Sequence, residues 1–342
     1  MEQIKHKFET LQFTRKYQQV FLEDLASLIK DGVPASKAID TLYQISNGIT
    51  KKVASHINQY ISQGKLVADG MQKWMSRPIV EMIRAGETSG TLTESIEAAA
   101  NSLAQNSSTL STLLNALLYP SIVFGLALFM TVFIKTSVLD SFVQIKPVSQ
   151  WPGSGQNIYN FAEFIQDWWW TILLLLGGLY YLVFTLLRHL TGDLRNNLDA
   201  LPFVSLYRDS VASRFMQTLG LLITNGISLK KALSILQLDA QPYLAWHLLM
   251  MEFRLSGGMD NIADVLDTSL IKNNDLIRLK VVSKGKGFSE ALISLGKQSS
   301  LRNVKLIDLT GKLLGAFILI AGAMLAASLI LGIYSVSSMI AT

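Results

Sequence analysis

The stretch FLEDLASLIKDGVPASKAIDTL, Phe21–Leu42, returns as FMQTLGLLITNGISLKKALSIL, Phe215–Leu236, at a constant offset of 194 residues and without a gap. Eight positions are identical: Phe21/Phe215, Leu25/Leu219, Leu28/Leu222, Ile29/Ile223, Gly32/Gly226, Lys37/Lys231, Ala38/Ala232 and Leu42/Leu236. In each copy the apolar residues Phe21, Leu25, Leu28, Ile29 and Phe215, Leu219, Leu222, Ile223 fall on one face of a helix. Asp31-Gly32 and Asn225-Gly226 then stop it, because glycine readily takes the left-handed conformation that closes a helix. Pro34 and Ser228 stand where a second helix begins. The duplicated stretch therefore predicts a helical hairpin, used twice, with Gly32 and Gly226 as its structural turns.

Outward from the hairpins the likeness continues less strictly. KLVADGM (Lys65–Met71) matches DNIADVL (Asp260–Leu266). GETSGTLTESIEAAANSL (Gly86–Leu103) matches SKGKGFSEALISLGKQSS (Ser283–Ser300) with a one-residue gap that aligns Glu94 with Glu290. Gly90 marks a further turn. Neither half shows the alternation of a half-buried strand, so each copy reads as a helical bundle.

What separates the copies is apolar. Half of the 342 residues are hydrophobic, only 16% are charged, and mean hydropathy is +0.33. Soluble domains carry about 25% charge. Leu113–Ile134 contains 22 residues without a charge, about 33 Å of helix against a hydrocarbon core of about 30 Å. Pro120 inside it is expected to bend the helix or mark its beginning. Trp168–Leu187 is a second span, with Trp and Tyr suited to interfaces. A third begins at Leu313 and is uncharged through Thr342. The loop 140–167 holds one basic residue, Lys146, whereas Arg188–Lys312 holds sixteen. By the positive-inside rule the first faces out and the second in.

The expected layout is an N-terminal cytoplasmic segment 1–16, a first cytoplasmic helical domain 17–112 and transmembrane helix 113–139. A periplasmic loop 140–167, transmembrane helix 168–187 and the second helical domain 188–312 follow, then a third span and periplasmic end 313–342. The fold class is an all-α membrane protein with two homologous helical bundles and three spans. The N-terminus, with mixed charges and no apolar core, does not read as a signal peptide.

Catalytic patterns are not found. The chain has no cysteine, its four histidines are scattered, and SKGKGFSE lacks phosphate-loop spacing. No enzyme and no cofactor are expected. Lys135, at the end of the first span, reads as a side chain reaching toward headgroups. Gly315, Gly322 and Ala326, with Gly311, form a small-residue line that lets helices approach closely.

The two copies differ in charge. Glu81, Glu87, Glu94 and Glu97 surround AGETSG in copy one, with Arg84 the sole basic residue; Arg278, Lys280, Lys284 and Lys286 occupy the related stretch of copy two. Glu87, Glu94, Arg278, Lys280, Lys284 and Lys286 are accordingly candidate partner-binding residues, toward other proteins, another protomer, or anionic membrane lipids. No basic surface interleaved with aromatics points to nucleic acid.

The two hairpins, AGETSG (Ala85–Gly90), LLYPSIV (Leu117–Val123) and LPFVSLYRDSVASRF (Leu201–Phe215, with its turn at Pro202) stand in an order that resembles the PilC/GspF-like family. These are inner-membrane platform proteins of type IV pili and type II secretion. SKGKG in copy two and the absence of a long leader resemble a divergent, type IVb-like branch. The resemblance implies a homo-oligomer in the bacterial inner membrane, N-terminus cytoplasmic and C-terminus periplasmic. It implies partners too: a cytoplasmic hexameric ATPase, pilin or pseudopilin subunits, and accessory inner-membrane assembly proteins. The function implied is coupling the ATPase to pilin extraction and filament assembly. The alternative is a small oligomeric transporter or channel subunit.

Overall fold

The computed structural model describes residues 10–105, 108–192, 195, 198–199, 202–258, 261–283 and 287–341, and every regular element among them is helical. The chain divides into two compact units, Met1–Ser108 with Leu187–Val304, and Thr109–Leu186 with Lys305–Thr342.

The first unit holds both copies. Copy one consists of α1 (Arg15–Lys30), α2 (Ala35–Ile45), α3 (Gly48–Ser62), α4 (Val67–Met71), α5 (Arg77–Ser89) and α6 (Leu92–Gln105). Copy two repeats the order after the intervening helices α7 to α9. It has α10 (Pro202–Thr224), α11 (Leu229–Leu238), α12 (Pro242–Ser256), α13 (Ile262–Val265), α14 (Asn273–Val282) and the first part of α15 (Phe288–Ala341). The 194-residue offset carries through to the third helix, since α3 and α12 begin and end at matching positions. Gly32 and Gly226 have φ of +87° and +80°, the left-handed conformation that closes a helix. Gly90 closes α5 in the same way, at φ +80°. Pro202 starts α10, where a missing N–H costs nothing.

The identical apolar pairs are core residues. Phe21, Leu25, Ala38 and Leu42, with Phe215, Leu219, Ala232 and Leu236, lie in one hydrophobic cluster that runs through both copies. Neither copy is a separate bundle, as the sequence led us to expect; both belong to one compact unit.

The second unit contains α7 (Ser108–Ile134), which continues unbroken through Pro120. A π-helical turn, Lys135–Leu139, and the short α8 (Asp140–Val143) follow it. Next comes α9 (Gly153–His189), and the later part of α15 completes the unit. Its core is Leu139, Trp151, Ile158, Leu329 and Val336. Among the described residues two helical stretches are long and apolar enough to cross a membrane, Leu117–Val143 and Phe288–Ala341. The expected span 168–187 lies inside α9, which begins fifteen residues earlier, so much of the expected loop 140–167 is helical. The expected boundary at 312/313 is not a break either. Without a proline between Phe288 and Ala341, nothing interrupts the hydrogen-bond ladder, and α15 is one helix of 54 residues.

Candidate interaction surfaces

The two copies meet along a polar seam. Helices α5 and α6 of copy one pack against α10 and α11 of copy two. Asp239, just past α11, accepts a hydrogen bond at 2.7 Å from the backbone N–H of Arg77, the first residue of α5. Copy two thereby supplies a carboxylate to an uncapped helix start, since Ser76 makes no side-chain cap of its own. Ser95 of α6 donates to Asn225 of the second hairpin turn.

The charged residues singled out in the sequence divide into internal and outward-facing. Glu87 accepts from the backbone N–H groups of Val67 and Ala68, at 2.8 and 3.1 Å, and so caps α4. Glu81 is buried and paired with Arg84, which also reaches Asp69 at 2.9 Å. Lys280 lies 2.9 Å from Asp264 and 3.7 Å from Asp267. Glu94 is exposed; Arg278 is exposed and reaches Gln298 at 3.3 Å. Lys284 and Lys286 lie outside the described residues.

Copy two also buries a polar centre that sequence reading missed. Arg195 and Asp199 are 2% and 3% exposed. Their closest atoms, Nε and Oδ1, are 3.1 Å apart, an ion pair without hydrogen-bond alignment. The Tyr243 hydroxyl donates to Asp199 at 2.8 Å, and the Arg195 guanidinium stacks over the Tyr243 ring. His247 packs edge-on to Tyr243 and meets the Thr268 hydroxyl at 3.1 Å. Burial pushes the Asp199 carboxyl up against the opposing pull of Tyr243 and Arg195. Burial also pushes His247 down to about 4. The Arg195–Asp199 and Tyr243–His247 pairs stand 44 residues apart and follow no motif, which is why periodicity gave no sign of them.

In the second unit Lys135 does not simply reach toward headgroups. Its ammonium lies 3.5 Å from Asp140 Oδ1 and above the ring of Tyr159, whose hydroxyl donates to the same Asp140. Lys146 donates to the carbonyl of Met339 at 3.2 Å, and the Ser154 and Ser335 hydroxyls meet at 2.8 Å. Of the small-residue line, Gly315 and Gly322 are buried and Ala326 is exposed. A Cβ on Gly322 would stand 3.6 Å from the Phe124 ring. The tighter approach is between α9 and α15. There a Cβ on Gly155 would come within 2.3 Å of Val336, and one on Gly332 within 2.6 Å of Ile158.

A duplicated six-helix module, with apolar helices between and after its copies, is the architecture against which known proteins can be compared. The family model for type II secretion system protein F matches residues 21–139, all of copy one's hairpin and the first apolar helix. Over 306 residues the chain is 23% identical to toxin coregulated pilus biosynthesis protein E of Vibrio cholerae, covering 87% of this chain and 89% of that one. The chain is similar to proteins of the PilC/GspF-like family. Type IV pilus assembly protein PilC of Pseudomonas aeruginosa is 24% identical over 225 residues, 63% of this chain and 60% of that protein. Type II secretion system protein F of Xanthomonas campestris is 24% identical over 226 residues, covering 63% and 55%. The chain thus matches the Vibrio relative along nearly its whole length and the other two over a little more than half of theirs.

Proposed function

We propose that the chain is an inner-membrane platform of a type IV pilus or type II secretion machine. In this reading it couples a cytoplasmic hexameric ATPase to extraction of pilin-like subunits. Three spans are proposed, in α7, in α9 over 168–187 and in α15, with the duplicated unit on the cytoplasmic side and the C-terminus outside. It works as a homo-oligomer beside accessory inner-membrane proteins. The near full-length match to the toxin coregulated pilus protein supports the divergent branch. The observation that carries the mechanism is α15. One helix contains both the last packed element of copy two and the longest apolar stretch of the chain. A displacement of the duplicated unit by a partner would be passed along it without a flexible joint.

The test is a four-glycine insertion between Val304 and Lys305. Filament assembly or secretion should be lost while the inserted protein still reaches the membrane and still co-purifies with the ATPase. Normal assembly by the inserted protein would refute the coupling.

A further inference from the structure

The seam between the copies is heterologous. Copy one contributes its last two helices, α5 and α6, and copy two its first two, α10 and α11. Most of the seam is made without the other half of each copy: α1 and α2 in copy one, α14 and the start of α15 in copy two. These are the counterparts of the two halves that do meet.

Burial differs between the counterparts. The helix starts set the register here: Arg77 opens α5 and Asn273 opens α14, 196 residues apart. In copy one Met82 is 0% and Glu81 8% exposed; their counterparts in copy two are Arg278, which is exposed, and Ile277, 51% exposed. Ala85 is half-buried, and its counterpart Val281 is 75% exposed. On the other half, Asp239 bonds across the seam, while its counterpart at the 194 offset is Ile45, 66% exposed. Asn225 bonds Ser95, while its counterpart Asp31 is exposed and makes no ion pair among the described residues. The open halves have thus changed together. Where the seam sets a carboxylate against a helix start, the open pair sets Ile45 opposite a face with Ile277 and Val281.

We propose that protomers join head to tail through these open halves. The α14–α15 face of copy two in one protomer docks on the α1–α2 face of copy one in the next, repeating the internal seam between chains. The contact is heterologous, so it propagates to a ring or an open row and does not stop at a two-fold dimer. It gives a geometry to the homo-oligomer of the proposed function, but it rests on the repeat alone and is tested without any pilus or secretion readout.

Because the chain contains no cysteine, the test is direct. The counterpart of the Arg77–Asp239 contact is Asn273 against Ile45. In membranes holding the full chain, Ile45→Cys with Asn273→Cys should give a ladder of covalent oligomers under mild oxidation or a short bismaleimide. The two single variants expressed together should stop at dimers, and neither should link to itself. Phe253→Cys, exposed on α12, is the collision control. Ile277→Asp with Val281→Asp should weaken association about 30-fold or more, as loss of an interface hot spot does, with the helical circular-dichroism signal intact. Three results would overturn the proposal: linking no stronger than the Phe253→Cys control, self-linking by either single variant, or unchanged association of the Asp variant.

Discussion

Replacing Gly155 by alanine tests whether α9 and α15 touch as closely as described. The added Cβ would lie 2.3 Å from Val336 Cγ2, whereas carbon atoms rest about 3.5–4.0 Å apart, so a separation of about 1.3 Å has to be found. Val336 cannot easily supply it. The side chain is 0% exposed, and a valine in a helix is held largely to one rotamer. Backbone must move instead, which strains the Ser154–Ser335 hydrogen bond beside it. Overpacking of this kind costs about 1–3 kcal/mol. Val336→Ala alone also destabilises, by removing buried methyl groups. Together the two changes fit, because the alanine at 155 fills the space that Val336 vacates. The double variant should lose less stability than the sum of the singles by about 1–2 kcal/mol. The assay is a thermal or denaturant unfolding midpoint of the purified chain in mild detergent, read for all four corners of the cycle. Additivity within about 0.5 kcal/mol, or a neutral Gly155→Ala, would refute the close approach.

Asp239→Ala removes the carboxylate at the start of α5, and the duplicated unit should lose about 1 kcal/mol, with part restored by Asn. Equal stability of Ala and wild type would mean that the seam contact contributes nothing. His247 gives a pH signature. Its folded-state pKa lies at about 4, below the ordinary value of 6.5, because burial disfavours the charged ring. As pH falls below 6.5 the unfolded chain takes up the proton first. This part of the stability is complete at neutral pH and is lost between about pH 6.5 and 4, by about 1.4 kcal/mol per unit. His247→Gln should flatten that slope in unfolding midpoints measured across the range, and an unchanged slope would exclude His247 as its source.

The hairpins were legible because their signals are local. A face of Phe and Leu and a Gly with left-handed φ are each dictated within one or two turns of helix. The long apolar stretches were legible for a similar reason, being matters of composition. Helix limits were less so. Nothing local distinguishes a cytoplasmic helix that stops at Lys312 from one that continues, and no proline supplies a stop. The charged residues show the same limit from the other side. Their sign could be read, but Glu87 capping α4 and Lys280 paired with Asp264 depend on tertiary neighbours 19 or 20 and 16 residues away. The Arg195–Asp199–Tyr243–His247 centre joins two segments, and no window of sequence contains it.

Which positions of the repeat have stayed alike follows from how the copies pack. Phe21/Phe215, Leu25/Leu219 and Ala38/Ala232 fill each copy's own interior, and both members of each pair are buried. The seam is different in kind, because two copies joined head to tail put unlike halves together. A residue at the seam in one copy has its counterpart on an open face in the other. The two positions therefore answer to different surroundings. Asp239 and Ile45, Asn225 and Asp31 are pairs of this sort, and each has changed chemical class. Had the copies met about a two-fold axis, counterparts would face each other at the seam, and one substitution would act on both sides of it. Divergence at the seam and its open counterparts is what the heterologous arrangement produces.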